Sequence, residues 1–516
     1  MNSWMDKRTG NSRVARASDN QLATGHAENV LKVLSAYPGV LEAAVLFDTR
    51  DGFIAFVVPN DDYLDDVLGR KNSESMIINR WQKAVDLTQF VKGTAPYPVG
   101  LNTQGWNSAY TGQEIPRNEM REWLQVSADE ILRLAPKVLY EIGCGTGMLL
   151  MQIAPSCDRY AGVDFSPATL AKLREQLQSV PSLAVKVEVI ERRADDFGSL
   201  DCNSFDTVVM NSVIFYFPNL AYLSDVLEKA INVVKPGGHV YVGDVLSLHL
   251  LPVFASSIEL FLGDDELSVA GLREQIRRRV KLQPWLFVSP AFFLSLPHRF
   301  SKVSRVEIRP RLGRASNEVT GYRFNAIIHV GHSDESALEV AFEDWTEREL
   351  SLQDIRTMMR QRTEAFGIMR IRNRRLEKDV NAFERIWPAD ASLTTAEFKH
   401  QCAEYVMSGI HPQDLIELSK EESGFEIQLS WAACRPDGSY DAVFSPVRPS
   451  QFQSTRRILW PKPEPADLLC FANAPGQEKY RAQLIESILT HCRQNLPLDL
   501  VPRDVTLVDM LPRTSN

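Results

Sequence analysis

The chain has 516 residues, 44% hydrophobic and 24% charged, the composition of an ordinary soluble globular protein with two or more domains. Its formal charge of −9 runs against the basic surplus of a nucleic-acid-binding chain, and no apolar run reaches the length of a membrane span. The seven cysteines are odd in number and scattered without a Cys-x-x-Cys pair, so neither a disulfide framework nor a metal is expected, and a reduced, cytoplasmic setting is.

Met1–Asp19 is polar and reads as a flexible lead-in without the apolar centre of a signal peptide. Ala27–Ala36 has helical spacing, with Val30, Leu31 and Leu34 on one face. After the break at Tyr37-Pro38-Gly39-Val40, two strands, Leu41–Phe47 and Phe53–Val58, are joined by the turn signal Asp51-Gly52. A polar linker, Asn60–Ser75, precedes a helix over Met76–Val91. Leu101–Pro116 is too rich in Gly, Asn, Ser and Thr for a core element, yet it carries Trp106 and Tyr110. Its aromatic rings either close over a site as a lid or anchor a long loop.

An amphipathic helix, Glu119–Leu134, leads into alternating strands and helices. In order these are strand Val138–Ile142, helix Met148–Ile153, strand Arg159–Val163, helix Ala168–Gln178, strand Val185–Glu191, strand Phe205–Asn211, helix Leu220–Val234 and strand His239–Val245. Such alternation implies a parallel sheet with helices on both faces and ligands at the carboxyl ends of its strands. Beyond it come a helix, Leu267–Val280, ending in the basic run Arg277–Lys281, and two antiparallel additions to the sheet, Val303–Pro310 and Arg323–Val330. Leu338–Val380 reads as charged and helical with a basic knot at Arg370–Lys378, and Thr394–Leu418 as helical. Phe425–Cys434 and Tyr440–Phe444 form a hairpin over Pro436–Ser439. A proline-studded linker, Pro446–Pro465, is followed by a helix, Gln477–Leu496, a turn, Pro497–Pro502, and a short strand, Val505–Val508.

Four features fall at the strand ends of the alternating region. The first is the loop Gly143-Cys144-Gly145-Thr146-Gly147 after Glu141, whose backbone N–H groups can face an anionic group. The second is Asp164, placed to accept hydrogen bonds from a ribose diol or, alternatively, to serve as a capping residue beside Ser166-Pro167. The third is Ala194-Asp195-Asp196-Phe197, where a carboxylate can accept from an adenine amine beside an apolar ring, or where the two acids simply make a turn. The fourth is Asn211-Ser212, near where a second substrate would react. A dinucleotide loop needs Gly-x-Gly-x-x-Gly; here the spacing is Gly-x-Gly-x-Gly, and the carboxylate of Glu141 would repel a pyrophosphate but suits an ammonium group. S-adenosylmethionine carries carboxylate, ammonium, ribose and adenine, and is the expected cofactor.

With Phe205-Asp206 and Val233-Val234-Lys235-Pro236-Gly237-Gly238 added, these motifs resemble a class I S-adenosylmethionine-dependent methyltransferase. More narrowly, Gly105–Gly112, Glu119–Trp123, Asn211–Pro218, Val242–Val245, Asp437-Gly438 and Asp441–Phe444 resemble the methyltransferase domains of nonribosomal peptide synthetases. In that family the domain often interrupts the small C-terminal subdomain of an adenylation domain. Gln21–Leu31 with Pro38–Val40 and Phe56–Pro59 looks like the first piece, and Leu496–Pro502 with Leu511–Asn516 like the last. The first piece departs from the family at Gln21 and Ala23, where Arg and Glu are usual, while Gly25 and Glu28 fit. The sequence stops before the family's Gly and catalytic Lys and has no large ATP-binding subdomain, so adenylation by this chain alone is not expected.

The resemblance implies an α/β fold: a Rossmann-like doubly wound sheet with a helical and β C-terminal extension, flanked by two pieces of a small α+β subdomain. The expected divisions are 1–75, 76–447 (core about 119–332, extension 333–447) and 448–516. The expected cofactor residues are Glu141, Gly143, Cys144, Gly145, Gly147, Asp164, Phe165, Asp195, Asp196, Phe197 and Asn211. Asn211, Tyr216 and Asp244 are candidates to orient the acceptor, with strand-end packing as the alternative; Trp106, Asn107 and Tyr110 are expected over the site. His239 and His249 flank the last parallel strand, where a structural role competes with proton transfer. The implied reaction is N-methylation of the α-amine of an aminoacyl or peptidyl thioester on a carrier protein, with other synthetase modules as partners and no nucleic acid, membrane or metal. The basic runs either face an acidic carrier or are solvated helix faces. Rival readings are O- or C-methylation of a small molecule or side chain, and a non-catalytic synthetase remnant.

Overall fold

The computed structural model describes residues 20–48, 52–60, 63, 70–88, 98, 100–331, 337–348, 350–422, 424–447, 457–463, 470–473, 475, 478–508 and 511. The lead-in 1–19, Asp51 of the first turn, the last residues of the helix expected to reach Val91, most of both linkers and the stretch 512–516 lie outside the described residues. In chain order the strands are β1 (Val40–Asp48), β2 (Gly52–Pro59), β3 (Val138–Ile142), β4 (Arg159–Asp164), β5 (Val187–Glu191), β6 (Phe205–Asn211), β7 (Val234–Leu246), β8 (Val303–Pro310), β9 (Arg323–Val330), β10 (Phe342–Asp344), β11 (Phe366–Ile371), β12 (Phe425–Ser430), β13 (Tyr440–Pro446) and β14 (Asp504–Leu507).

The chain divides into two units, Met1–Asn72 with Gln477–Asn516, and Ser73–Gly476. The first holds the sheet β1-β2-β14, in which β1 runs antiparallel to β2 and β14 parallel to it. Along β2 the side chains of Phe53, Ala55 and Val57 alternate inwards, as the two-residue period of a strand requires. They meet Val30 and Leu34 from the helix Asn20–Ser35 and Leu484 and Ile488 from the helix Glu478–Asn495.

The second unit is organised by a seven-stranded sheet in the order β5-β4-β3-β6-β7-β9-β8. The first five strands are parallel, and β9 and β8 add antiparallel to β7. The doubly wound sheet with two antiparallel additions is the fold expected. Its order turns back between β3 and β6, the place where open α/β sheets leave a crevice for a ligand. The helices are started by local chemistry: Ser166 accepts the Thr169 N–H with Pro167 in the first turn, and Asn219 accepts the Tyr222 N–H. The strand expected from Val185 begins at Val187, because a short helix, Pro181–Ala184, takes up the connection.

The extension departs from expectation. Leu338–Val380 is not one helical stretch: it holds β10 and β11 as well as the helices Leu352–Gln361 and Glu377–Ile386. The expected hairpin of β12 and β13 is present, but it belongs to a four-stranded sheet, β10-β11-β13-β12. Thr394–Leu418 is likewise two helices, Thr395–Ala403 and Pro412–Glu421. Two helices without a sequence signal, Leu251–Leu262 and Pro290–Arg299, are also present, the first with both faces largely buried. No helix among the described residues is long and apolar enough to cross a membrane.

Candidate functional site

At the carboxyl ends of β3, β4, β6 and β7 lies a cavity of about 330 Å³, within the range of small-molecule sites. Its β3–β4 end is built on the glycine loop. Gly143, Gly145 and Gly147 all have left-handed φ (73°, 52° and 82°). A Cβ on Gly143 or Gly147 would meet Val213 or Leu173 at 2.4 Å, so those two positions are closed by packing. A Cβ on Gly145 would meet nothing within 4 Å, and Gly145 lines the cavity. The loop therefore presents bare backbone where a ligand can approach.

Two buried carboxylates border this end. Glu141 accepts a hydrogen bond from the Tyr160 hydroxyl at 2.7 Å, and burial pushes its carboxyl up to about 7. Asp164 accepts the Gly145 N–H at 3.0 Å and the Ser166 N–H at 2.9 Å. Burial pushes its carboxyl up to about 6, against the lowering effect of those N–H groups. Each Asp164 oxygen retains capacity for a further donor. Cys144 and Phe165 complete the wall; Cys144 packs its Cβ 3.1 Å from the Cβ position of Gly162, and burial holds its thiol well above the usual range. The Phe165 carbonyl accepts Gln82 Nε2 at 2.8 Å, and Ser166 Oγ donates to Asp86 Oδ1 at 2.5 Å, so the helix Arg70–Thr88 is tied across the end of β4.

The third expected feature is arranged differently. Arg192, Arg193 and Ala194 line the cavity, whereas Asp195, Asp196 and Phe197 are absent from its wall. Asp195 is paired with Arg193 at 3.0 Å, Asp196 accepts the Gly198 N–H at 2.8 Å, and Phe197 is buried with its ring 5.8 Å from that of Tyr140. The turn alternative describes the two acids, and the apolar ring serves the core.

At the opposite end the wall includes Asn211, Ser212, Tyr216, Leu246, Glu318 and Arg323. Asn211 is buried, and its Oδ1 has no hydrogen-bond partner among the described residues, an uncommon state for a buried acceptor. It fits beside β7 only because position 243 is glycine: a Cβ there would come within 1.9 Å of Asn211 Oδ1. Tyr216 lies between Trp81 and Phe215, with ring centroids at 4.9 and 4.4 Å, and burial raises its hydroxyl. Ser212 and Asp244, at the ends of neighbouring strands, both hold left-handed φ (57° and 59°) and are hydrogen-bonded to each other. Two strained residues at one rim are what a functional site often contains.

Asp244 itself does not reach the cavity, which corrects its expected place among the acceptor-facing groups. It is fully buried beneath the rim, where it accepts Trp123 Nε1 at 2.7 Å and pairs with Arg311 Nε at 3.1 Å. A carboxylate with that many donors fixes Trp123 and the strand ends rather than a substrate. His239 and His249 do not line the cavity either. Burial pushes both down to about 4; His239 faces the His329 ring at 4.8 Å and His249 bonds Ser289 Oγ at 2.8 Å.

The loop 101–116 divides its labour. Trp106 and Asn107 line the cavity, with Trp106 against Trp123 at 4.6 Å between centroids. Tyr110 points away and anchors the loop: its hydroxyl meets Ser257 Oγ at 2.9 Å, and its ring packs edge-on to Phe254 and Phe261. Sequence reading missed Ile78, Trp81 and Val85 on the helix Arg70–Thr88, whose apolar i, i+3, i+7 spacing was available as a signal. It also missed Glu318 and Arg323, for which a connection between two strands gives no local signal.

The residues present fit S-adenosylmethionine: a glycine cradle, two buried carboxylates bordering it, and an unpartnered amide oxygen at the far wall. Residues 140–240 match the family described as "Methyltransferase domain". The chain is 32% identical over 95% of its length to chondramide synthase of Chondromyces crocatus and covers 13% of that protein. It is 28% identical over 99% of its length to a nonribosomal peptide synthetase of Alternaria alternata, of which it covers 11%. The chain thus spans a small part of the curated relatives it matches. Among solved structures it is similar to an N-methyltransferase from Bradyrhizobium japonicum WM9 in complex with S-adenosyl-L-homocysteine, at 14% identity and a TM-score of 0.31 over 49% of this chain and 98% of that one. A likeness of that size adds nothing to the fold already read from the sheet order.

Proposed function

We propose that this chain, which carries an S-adenosylmethionine-dependent methyltransferase domain of the kind found within nonribosomal peptide synthetases, methylates the α-amine of an aminoacyl or peptidyl thioester held on a carrier protein. The observation that carries this reading is Asn211, a residue of the cavity wall whose buried Oδ1 has no partner among the described residues. An amine brings N–H donors to such an oxygen, whereas a carbon acceptor brings none. The synthetases named among the relatives support a carrier-bound substrate. So does the unit made of 1–72 and 477–516, which we read as two pieces of an adenylation-type subdomain interrupted by the methyltransferase unit. Its working place in this reading is the cytoplasm, and its partners are the other synthetase modules.

When bound, S-adenosylmethionine supplies an electrophilic methyl carbon on a sulfonium. In this reading Glu141 takes the ammonium of the cofactor, Asp164 accepts from its ribose diol, and the glycine loop lies against it with Cys144 and Phe165 alongside. Tyr216, Trp81 and Trp106 line the cavity with aromatic surface that excludes water and favours a cationic ligand. Positioning is the main task of a methyl transfer, because two bound reactants held in line react as one. Asn211 orients the amine and Asp244 holds the rim that carries it.

The test is mass spectrometry of carrier-bound amino acids with a labelled methyl donor. Label on the α-nitrogen is the expected result. Label on oxygen or carbon, or faster methylation of a free acid or alcohol than of the bound amine, overturns it. Absence of binding heat with S-adenosylmethionine would put the non-catalytic reading in its place.

A further inference from the structure

The connection between β8 and β9 and the first residue of β9 contribute two ionisable side chains to the cavity, Glu318 and Arg323. Arg323 is the first residue of β9 and pairs with Leu246, three residues beyond the level at which Asn211 faces Gly243. That offset is about 10 Å along the sheet, which places Arg323 at the outer side of the rim. Its guanidinium is unusual. Nε and Nη1 are buried and have no hydrogen-bond partner among the described residues. Its only ion pair there is a long one to Asp244, 3.9 Å, and Asp244 is already engaged by Arg311, Trp123 and Ser212. The Phe215 ring lies 5.2 Å below it, and burial pulls the guanidinium down from its usual range. A buried guanidinium with unmet donors at a cavity wall is short of an acceptor.

Glu318 is buried at the start of a turn of helix rigidified by a capping box between Asn317 and Thr320. Its Oε1 takes the Ala109 N–H of the loop 101–116 at 2.6 Å, and it lines the cavity beside Arg323. The wall thus offers one carboxylate and one guanidinium within electrostatic reach of each other, a pattern complementary to a ligand that carries both an amine and a carbonyl oxygen.

We propose that Glu318 and Arg323 form the acceptor subsite, with Arg323 donating to the carbonyl oxygen of the aminoacyl group and Glu318 accepting from its α-amine. This rests on the reading of the acceptor as an α-amine. It adds the proton's destination: as the N–C bond forms, the electron pair of the broken C–S bond stays on sulfur and one N–H proton passes to the Glu318 carboxylate. It also couples acceptor binding to the loop, because the same carboxylate that holds Ala109 touches the amine.

The test is a calorimetric titration of L-aminoacyl-pantetheine amides, and of their N-acetylated counterparts, into the full chain saturated with S-adenosylhomocysteine. Glu318→Gln and Arg323→Gln are each expected to weaken the amides about tenfold or more, while S-adenosylhomocysteine affinity and thermal midpoint stay close to wild type. N-acetylation should cost wild type about as much as Glu318→Gln costs it, and should cost Glu318→Gln little more. In turnover with an aminoacyl carrier, Glu318→Gln should lower kcat, and Arg323→Lys should recover most of the KM lost in Arg323→Gln. Equal amide binding by wild type and both variants overturns the subsite, as does a wild type that binds none of the amides. If the amides bind as expected but no methyl group reaches the nitrogen of a bound amino acid, the subsite stands and the proposed reaction falls. If a variant loses S-adenosylhomocysteine or its thermal midpoint, Glu318→Asp and Arg323→Lys replace it, and unchanged amide binding by these shorter or reshaped groups overturns the subsite.

Discussion

The two ends of the cavity are made in opposite ways. The β3–β4 end comes from one contiguous stretch, 141–165, in which strand, loop, helix and strand hold one another: Asp164 accepts from Gly145, and the Gly143 N–H donates to the Val163 carbonyl at 2.7 Å. The β6–β7–β9 end is gathered from the helix Arg70–Thr88, the loop 101–116, the rim 211–217 and the β8–β9 connection. The first end has its polar groups largely satisfied before any ligand arrives. The second keeps unmet ones, Asn211 Oδ1 and two nitrogens of Arg323. A preorganised end holds its ligand by shape, and an end with unmet groups selects its ligand by chemistry.

The contrast is broken most directly at Gly145. Gly145→Val puts a branched side chain into open cavity space at a φ of 52°, so cofactor binding measured by calorimetry should be lost. Acceptor-side binding of an aminoacyl amide alone should survive. Normal cofactor affinity in this variant would move the cofactor elsewhere. Asp164→Ala comes next: loss of the acceptor proposed for the ribose, which also holds the Gly145 and Ser166 N–H groups, is expected to weaken the cofactor by roughly 1.5–3 kcal/mol, about ten- to a hundredfold.

The pH dependence is a smaller effect with a definite sign. Burial lifts Glu141 from 4.5 to about 7 and Asp164 from 3.8 to about 6. With folded values above the unfolded ones, these groups favour the folded free protein fully below about pH 4, and that contribution is lost as pH rises through 6 and 7. A cationic ligand favours the ionised carboxylates, so its affinity rises over the same window. The thermal shift given by S-adenosylmethionine should therefore be larger near pH 8 than near pH 5.5, by an affinity ratio of roughly thirtyfold where the ionised Glu141 is the form that binds. A flat profile would mean that neither carboxylate faces the ligand. The smallest effect is expected at Tyr110→Phe, which removes one hydrogen bond to Ser257 and should raise the acceptor KM about two- to tenfold with cofactor affinity unchanged.

The same contrast explains what could be read in advance. β3 and the helix Met148–Ile153 have the bounds read from the sequence, because a short apolar run, a glycine loop and an apolar helix are all local signals. β11 was read as helix. Its sequence, Phe-Gly-Ile-Met-Arg-Ile, lies between charged helices, and Arg370, at a left-handed φ of 60°, falls in the irregular stretch between Ile368 and Ile371 that spoils the alternation. Leu251–Leu262 was missed since a helix apolar on most sides has no amphipathic period to detect. At the site, Glu141, Asp164 and Asn211 were legible as strand-end polar residues. Asp244 has the same sequence signature, and only its buried partners, Arg311 and Trp123, distinguish a brace from a ligand group. Glu318 and Arg323 acquire meaning only when β9 lies beside β7.

The sheet β1-β2-β14 sets a timetable for biosynthesis. β1 and β2 leave the ribosome ahead of β14, which pairs with β2 through Val505 and Ala55 and follows only after the 404 residues Ser73–Gly476. At ordinary rates of translation that interval is roughly 20–80 s. Throughout it β2 has its second edge open and Phe53, Ala55 and Val57 without the helix Glu478–Asn495 to cover them. The small unit is therefore completed after the insert although it is begun before it. A nascent chain halted just after the insert carries a complete hairpin that still lacks its third strand and second helix, and that open edge is where chaperone binding or misassembly is expected.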